Sequence, residues 1–448
     1  MVSARTALVG MVVLVGCKDE VQFECADIVA DTTQHPNSAA LSWETPFSGT
    51  VSVSYQSSSG PEHTLDLSAA TDTTHSGVLF GLTSLTEYAY TLTATGDGDT
   101  LRCSGSFTTE NMPPGLPEVT VEVNDTTRTS SETVLIVSVM NKDETFPVAI
   151  NRTGQVVWFT EDVPYEQVSQ VEVAHDGRGL AMGSFSFNRG QDNSVFHRVG
   201  LLGEPITSFP IAGGHHFFKQ RADGTVTHPS IDIRDWVIEG ESVSVVGDAL
   251  VEVRGTDAVE LFNVWDVMEP REHSRFWSNF YPQGADWTHL NSIDYLSETD
   301  QYIVSLPYLE IVLEIDANTG DVTEEFSPQT YTFEAHPFYE AHDVRMLDAS
   351  TMTVLNQNPG GAVAVEYAID RTSKTLQVDW VYETGINVKY LGQFFRLENG
   401  NRIINYGSAG IIQEVTEGGE VVWEVYSPLG YWFGNGQMLD SLYVAAVP

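Results

Sequence analysis

The segment Ile411-Ile-Gln-Glu-Val-Thr-Glu-Gly-Gly-Glu-Val-Val-Trp423 shows most clearly the unit that repeats along this chain. It reads as an apolar strand, a polar turn that contains glycine, and a second strand that ends in an aromatic residue. The pattern recurs at 147–158 and 311–326, and weaker copies end at Phe209, Trp265 and Trp380. Six copies of one hairpin predict an all-β repeat protein.

A second kind of hairpin alternates with the first. Its copies begin near Gln170, His216, His289, His342, Gly392 and Asn435. Six alternating pairs give six four-stranded sheets, which is the arrangement of a six-bladed β-propeller over residues 119–448. The series opens with the hairpin at 147–158 and closes with one at 435–447, so the chain ends would complete one blade. A β-solenoid, the competing architecture, needs shorter and more uniform repeats.

Residues 22–109 show short alternating strands separated by turns, a pattern typical of a small β-sandwich. Leu41-Ser-Trp43 and Leu82-Thr-Ser-Leu-Thr-Glu-Tyr88 resemble the fibronectin type III pattern. The proline-rich residues 110–118 predict a stiff linker between this domain and the propeller.

The N-terminus has the layout of a bacterial export signal, with Arg5 before an apolar run. Leu14-Val-Gly-Cys17 resembles the lipobox of bacterial lipoproteins, which implies a signal peptide at 1–16, a lipid on Cys17 and a tether at 17–21. Lys18, where an aspartate would favour retention in the inner membrane, points to an outer-membrane anchor. The alternative is an ordinary cleaved signal with an incidental cysteine.

The remaining thiols, Cys25 and Cys103, either form one disulfide in an oxidising compartment or stay free. The formal charge of −41 excludes a polyanionic partner such as nucleic acid over most of the surface. It does not exclude a small sulfated substrate in a locally basic pocket.

Three histidines occupy equivalent positions in the repeat. His216, His289 and His342 are each the first residue of a second-kind hairpin, and in a propeller these hairpins line the central channel. The three imidazoles should therefore converge at one mouth of the channel. Such a cluster can bind a metal, relay protons or attack an electrophile. For a metal, Asp294 and Asp343 are candidate carboxylate ligands by proximity in sequence alone.

Asp286-Trp-Thr-His-Leu-Asn-Ser-Ile-Asp-Tyr295, Ala341-His-Asp-Val-Arg345 and the pair His215-His216 resemble motifs of the bacterial arylsulfate sulfotransferase family. The resemblance extends from about residue 120 to the end of the chain. It implies an exported six-bladed propeller that moves a sulfuryl group from an aryl sulfate to a phenol. It also implies a sulfated histidine as intermediate, with neither a nucleotide sulfate donor nor a cofactor.

Carried over to this sequence, the resemblance makes His342 the nucleophile. His289 and His216 would stabilise the sulfuryl oxygens or handle the proton of the phenol, and Asn291 is retained beside His289. Imidazole attack on sulfur with departure of an aryloxide is chemically reasonable.

Several positions depart from the family pattern. Pro307 stands where the family has an arginine, which removes a donor whose loss typically costs about 10²–10³ in rate. Ala341 replaces a glutamine and Phe217 replaces an acid. Arg345 is a nearby cation that we expect to face away from the channel.

His215, His228 and His336 are expected to lie in loops, with His215 as a substitute for His216. The alternative function is a catalytically impaired propeller that binds a ligand or partner at the cell surface. A metal-dependent lyase or hydrolase is the third reading.

Overall fold

The computed structural model describes residues 11–12, 35–45, 47–58, 60–68, 73–96, 98–160, 167–185, 194–238, 240–270 and 280–446. The chain divides into two compact units, Met1–Leu116 and Pro117–Pro448. The division lies inside the stretch predicted as a linker. Cys17 and Cys25 lie outside the described residues, as does most of the predicted signal peptide.

The first unit consists of two antiparallel sheets, with strand orders β1-β7-β6-β3-β4 and β2-β5. Side chains alternate along the strands, so that Tyr88, Tyr90 and Leu92 of one strand all enter the core beside Trp43. The strands are β1 (Met11–Val12), β2 (Ala39–Glu44), β3 (Thr50–Ser57), β4 (His63–Ser68), β5 (Thr74–Leu79), β6 (Glu87–Gly96) and β7 (Asp99–Thr108).

Two features of this unit bear on the N-terminal predictions. Met11–Val12 pairs with β7 and belongs to the segment for which cleavage is predicted. Cys103 is buried and disulfide-bonded. Among the residues that the structure describes, no helix is long and apolar enough to cross a membrane.

The described residues of the second unit are also all-β, apart from short 3-10 helices at Val264–Asp266, Pro307–Leu309, Gly407–Ala409 and Leu442–Ala445. Its strands are β8 (Thr120–Asn124), β9 (Val134–Met140), β10 (Thr145–Asn151), β11 (Val156–Phe159), β12 (Gln167–Val173), β13 (Leu180–Phe185), β14 (Val195–Val199), β15 (Pro205–Pro210), β16 (Lys219–Gln220), β17 (Val226–Ile238), β18 (Glu241–Arg254), β19 (Asp257–Asn263), β20 (Ala285–Asp286), β21 (Ser292–Leu296), β22 (Gln301–Leu306), β23 (Ile311–Asp316), β24 (Val322–Phe326), β25 (Thr332–Phe333), β26 (Ala341–Asp348), β27 (Thr351–Asn356), β28 (Val363–Asp370), β29 (Thr375–Glu383), β30 (Gln393–Arg396), β31 (Arg402–Asn405), β32 (Ile411–Val415), β33 (Val421–Tyr426), β34 (Trp432–Phe433) and β35 (Gln437–Leu439).

The described strands of this unit form six sheets. Five of them consist of consecutive strands, namely β12 to β15, β16 to β19, β21 to β24, β26 to β29 and β30 to β33. In each of these five, the first two strands are a second-kind hairpin and the last two are an aromatic-ending one. Strands β20, β25 and β8 add to the edges of three sheets.

The sixth sheet joins the two ends of the unit. Strands β34 and β35 pair with β9, which continues through β10 to β11. The prediction that the chain ends share one sheet agrees with this pairing, but the predicted hairpin at 435–447 is wrong. The C-terminal segment supplies only the inner edge and then turns into the 3-10 helix Leu442–Ala445, while β9 supplies the next strand.

Each sheet is linked to the next through its innermost segment, and the last sheet is linked to the first. The links are Asn435 N–H to Ser169 O, Phe218 N–H to Gln170 Oε1, Lys219 Nζ to Asp294 Oδ1, Val344 N–H to Ser292 Oγ, Phe394 N–H to Asp343 Oδ2, and Gln393 Nε2 to Gly436 O. This cycle brings the beginnings of the inner strands together.

Candidate active site

Four residues that the sequence singles out line one cavity of about 360 Å³: His216, His289, Asn291 and His342. They come from three different sheets, so it is the cycle of sheets, and no local sequence contact, that assembles them. All four are buried or nearly so, with His342 only 3% exposed.

The backbone is strained where the histidines leave their loops and enter the inner strands. His216 and His289 have φ values of 58° and 54°, in the left-handed region that is unfavourable for residues with a Cβ atom. Asp343, directly after His342, has a φ of 48° and lies in a register shift of β26. Strained residues of this kind concentrate at functional sites, where the surrounding structure holds a side chain in place.

His342 has the features of a nucleophile. Its Nδ1 lies 2.9 Å from the carbonyl oxygen of Gly392. Because a carbonyl only accepts, Nδ1 carries the proton and Nε2 carries the lone pair. Burial lowers the pKa of His342 to about 3, with a smaller contribution from His289, although the bond to Gly392 opposes this shift. The imidazole is therefore neutral and nucleophilic at any ordinary pH.

His289 is held on two sides. Its Nδ1 lies 2.6 Å from Asp286 Oδ2, which fixes the Nδ1–H tautomer and provides a negative charge beside the ring. Its ring stacks on that of Tyr308 at a centroid separation of 4.5 Å. Burial raises the pKa of Asp286 although His289 opposes the shift. The arrangement leaves Nε2 of His289 as the ring nitrogen available to the cavity, where it accepts a hydrogen bond in the neutral ring and donates one only when the ring is protonated.

His216 lies edge-on to His289, with ring centroids 4.7 Å apart. Its Nδ1 is 2.8 Å from Nδ1 of His215, which is fully buried behind it. Burial lowers the pKa of His216 well below its usual value, and the neighbouring His289, His215 and His342 lower it further. The prediction of His215 as a substitute for His216 is wrong, because His215 does not line the cavity and supports His216 from behind.

Asn291 and Pro307 line the cavity near His289. Ser305 Oγ donates to Asn291 Oδ1 at 2.6 Å, so the amide nitrogen of Asn291 is the group available to a ligand. Pro307 is the first residue of a 3-10 helix and lines the same cavity. The resemblance implies this location for the position at which the family has an arginine. It supplies apolar surface where the family pattern has a cation.

Four aromatic residues and one cation also line the cavity. Phe280, Tyr308, Tyr390 and Trp432 line the cavity, and Tyr390 meets Trp432 edge-on at 5.5 Å. Lys389, which is exposed, is the single lysine or arginine among the described lining residues. A pocket with several aromatic faces and one positive charge suits a flat aromatic anion.

Arg345 does not face away from the channel, and that prediction is wrong. It lines a second, polar cavity of about 270 Å³, which residues on the inner segments of all six sheets enclose. There Arg345 forms two bonds of 2.9 Å with Asp343, and Lys219 bonds Asp294 at 2.7 Å. Arg345 is therefore neutralised by Asp343, and it is not a lining residue of the histidine cavity.

The two aspartates considered as metal ligands are thus engaged with cations and do not point at the histidines. Within the described ranges, no group of three or more His, Cys, Asp or Glu side chains has the spacing of a metal site. His336 lies in the loop before β26, whereas His228 is buried inside β17, not in a loop. Phe217 contacts His342 edge-on at 5.6 Å and lines the second cavity.

Comparison with known protein families identifies the family of this chain. Two family models, both described as arylsulfotransferase (ASST), match residues 118–336 and 260–428. The chain belongs to the arylsulfotransferase family. Together the matches span 118–428, which includes His216, His289, Asn291 and His342. No curated protein sequence matches the chain.

Solved structures resemble this arylsulfotransferase-family chain only distantly. A Bacteroides caccae protein of unknown function is 15% identical at a TM-score of 0.43, and covers 70% of this chain and 100% of its own. A streptogramin B lyase is 11% identical at 0.39, with coverages of 72% and 95%. The virginiamycin B lyase of Staphylococcus aureus is 8% identical at 0.36, with 69% and 88%. At these scores the likenesses carry no argument about function.

Proposed function

We propose that this protein transfers a sulfuryl group from an aryl sulfate to a phenol through a sulfated His342. The observation that carries the proposal is the Nδ1–H bond from His342 to Gly392, which presents an uncharged Nε2 lone pair in an aromatic-walled cavity. Family membership supports sulfuryl transfer in general, and the geometry supports this histidine as the group that is sulfated.

In the first half of the reaction, the Nε2 lone pair of His342 forms the N–S bond while the aryl O–S bond breaks. The phenolate leaves with the bonding electron pair and takes a proton from the cavity wall. In the second half, an acceptor phenol gives up its proton, its oxygen bonds sulfur, and the N–S bond breaks. Each half restores what the other used, so the cycle needs no cofactor or nucleotide.

Charge on the sulfuryl oxygens is met by the groups around His342. The amide of Asn291 is placed to donate to these oxygens, and Nε2 of His289 donates to them when the ring is protonated beside the carboxylate of Asp286. Lys389 provides the positive charge that Pro307 lacks, although it lies at the rim rather than at the reacting centre. Glu340 is the single carboxylate among the described lining residues, and the positive charge of Lys389 offsets its repulsion of an anionic substrate.

The same proposal includes the architecture that holds the site. The closed cycle of six sheets supports a six-bladed β-propeller, and the strand orders β4-β3-β6-β7 and β2-β5 support a fibronectin type III-like domain before it. We also propose export and a lipid anchor on Cys17 in the outer membrane. Labelling of cells with radioactive palmitate tests the anchor, because incorporation should vanish in Cys17→Ala.

Turnover tests the proposed function. Without phenol, the full chain should release nitrophenol from 4-nitrophenyl sulfate only as a single burst. With phenol, the release should continue and phenyl sulfate should form in step with it. His342→Gln should abolish both products, while His197→Gln, a control in β14 away from the cavity, should retain them. Absence of release over a broad panel of aryl sulfates would refute sulfuryl transfer and leave ligand binding as the function.

A further inference from the structure

The mechanism above assigns no role to the buried pair behind His216. His215 Nε2 lies 3.0 Å from Asp248 Oδ1, and both side chains are almost completely buried. The other oxygen of Asp248 accepts from the hydroxyl of Thr288 and from the backbone N–H of Leu290 at 2.7 Å. Burying a carboxylate is costly unless its negative charge is hydrogen-bonded and paired with a positive charge.

The contact between the two imidazoles constrains where protons can be. A separation of 2.8 Å between two Nδ1 atoms requires one proton between them, donated by one ring and accepted by the other. If His215 is protonated on both nitrogens, His216 accepts at Nδ1 and carries its proton on Nε2. If His215 is neutral and donates Nε2–H to Asp248, His216 donates at Nδ1 and has a bare Nε2.

We infer that His216, His215 and Asp248 form a proton relay that serves the phenolic oxygen in both halves of the reaction. This inference rests on the proposed function. When the phenolate leaves, His216 gives it the Nε2 proton and receives the Nδ1 proton of His215 at the same time. The relay passes from a protonated to a neutral His215 and Asp248 stays a carboxylate. The acceptor phenol reverses each transfer.

The surroundings of the relay favour a fixed negative charge on Asp248. Burial opposes that charge, but the contacts with His215, Thr288 and Leu290 outweigh burial and lower the pKa of Asp248. Two other titratable groups face the pair. The ring of Tyr281 meets that of His215 edge-on at 5.8 Å, and Asp286 is hydrogen-bonded to His289. Neither adds a positive charge, so His215 is the cation that Asp248 can stabilise.

Asp248→Asn tests the relay while it keeps the size of the side chain. The amide oxygen must still accept from Thr288 and Leu290, so the amide nitrogen faces His215 Nε2 and forces it to accept. His215 then always donates to His216, and His216 cannot recover a proton that it has given away. His215→Gln is the second variant, because it interrupts the relay at a different residue.

The measurement is the rate of the first half of the reaction with two donors, using the full chain. The phenolate of phenyl sulfate is a strong base that needs a proton, whereas nitrophenolate leaves without one. Both variants should slow phenyl sulfate roughly 10²–10³-fold and change the burst of 4-nitrophenyl sulfate by less than about threefold.

Two other outcomes separate the relay from the proposed function. Equal slowing of both donors by the variants would overturn the relay and assign His215 and Asp248 a structural role, while sulfuryl transfer would stand. No burst with either donor in the unaltered protein would overturn sulfuryl transfer and the relay with it. His197→Gln should change neither rate and serves as the control.

Discussion

The rate at which His342 is sulfated should change little at acid pH, because this imidazole is buried. For an ordinary histidine, with a pKa near 6.5, the fraction of neutral imidazole falls about tenfold for each pH unit below that value. With a pKa of about 3, His342 stays unprotonated far into the acid range. At pH 4.5 an ordinary imidazole would be slowed about 100-fold, whereas His342 should be only about 3% protonated.

The same shift limits the pH range by way of stability. Because the folded protein has the lower pKa, the neutral form of His342 is favoured by folding, and its stabilisation is fully present above pH 6.5. It is lost as the pH falls from 6.5 towards about 3. At pH 4.5 this group alone lowers the free energy of unfolding by about 3 kcal/mol, so folding must be monitored alongside the rate.

The assay is a stopped-flow burst of nitrophenol from 4-nitrophenyl sulfate between pH 4.5 and 8, read at an isosbestic wavelength, with circular dichroism at each pH. The burst rate should change less than about twofold while the dichroism is unchanged. A tenfold fall per unit below pH 6.5 in a protein that remains folded would refute the burial argument, because His342 would then titrate as an exposed imidazole.

Three further changes probe the charges around the sulfuryl group. Pro307→Arg should raise the rate of sulfation by up to about 10²-fold, since it places a cationic donor on the cavity wall. No increase in a folded variant would show that the cavity does not direct this side chain towards the sulfuryl group. Lys389→Gln should raise KM for aryl sulfates roughly 3–10-fold without changing KM for neutral phenols, and Lys142→Gln, on an exposed turn, should leave both unchanged. Asp286→Asn should slow sulfation roughly 10–100-fold, because the amide still accepts Nδ1–H of His289 but offers no counter-charge; an unchanged rate would exclude a cationic His289.

The sequence was informative where the repeat was regular. Aromatic-ending hairpins such as Ile411–Trp423 predicted the outer strands of the sheets, because each depends on a local turn and a local alternation. The convergence of His216, His289 and His342 could be predicted because equivalent positions in a cyclic repeat meet at its axis. That argument needed no knowledge of contacts.

Arg345 shows why the regular pattern failed elsewhere. Arg345 lies three positions after His342, and in a regular strand an odd number of positions places two side chains on opposite faces. Here the left-handed Asp343 falls in a register shift between His342 and Arg345, so the alternation is broken. A single residue with positive φ is not visible in the sequence unless it is glycine.

Other parts of the site had no repeat signal at all. Lys389 and Tyr390 come from the connection between β29 and β30, and Trp432 comes from the two-residue strand β34; the lengths and sequences of such segments vary from one copy to the next. Asp286 was visible three residues before His289, but nothing in the sequence distinguished it from an ordinary loop carboxylate. Asp248 lies 33 residues beyond His215, and only the packing of β18 behind the loop reveals their contact.

The central claim is that His342 becomes sulfated, and intact-mass spectrometry after mixing with 4-nitrophenyl sulfate in the absence of a phenol tests it most directly. We expect an adduct of about 80 Da, located on His342 by peptide fragmentation, which disappears when phenol is added. His342→Gln should form no adduct. An adduct located on His216 or His289, or nitrophenol release without any adduct in the folded protein, would show that His342 is not the sulfated residue.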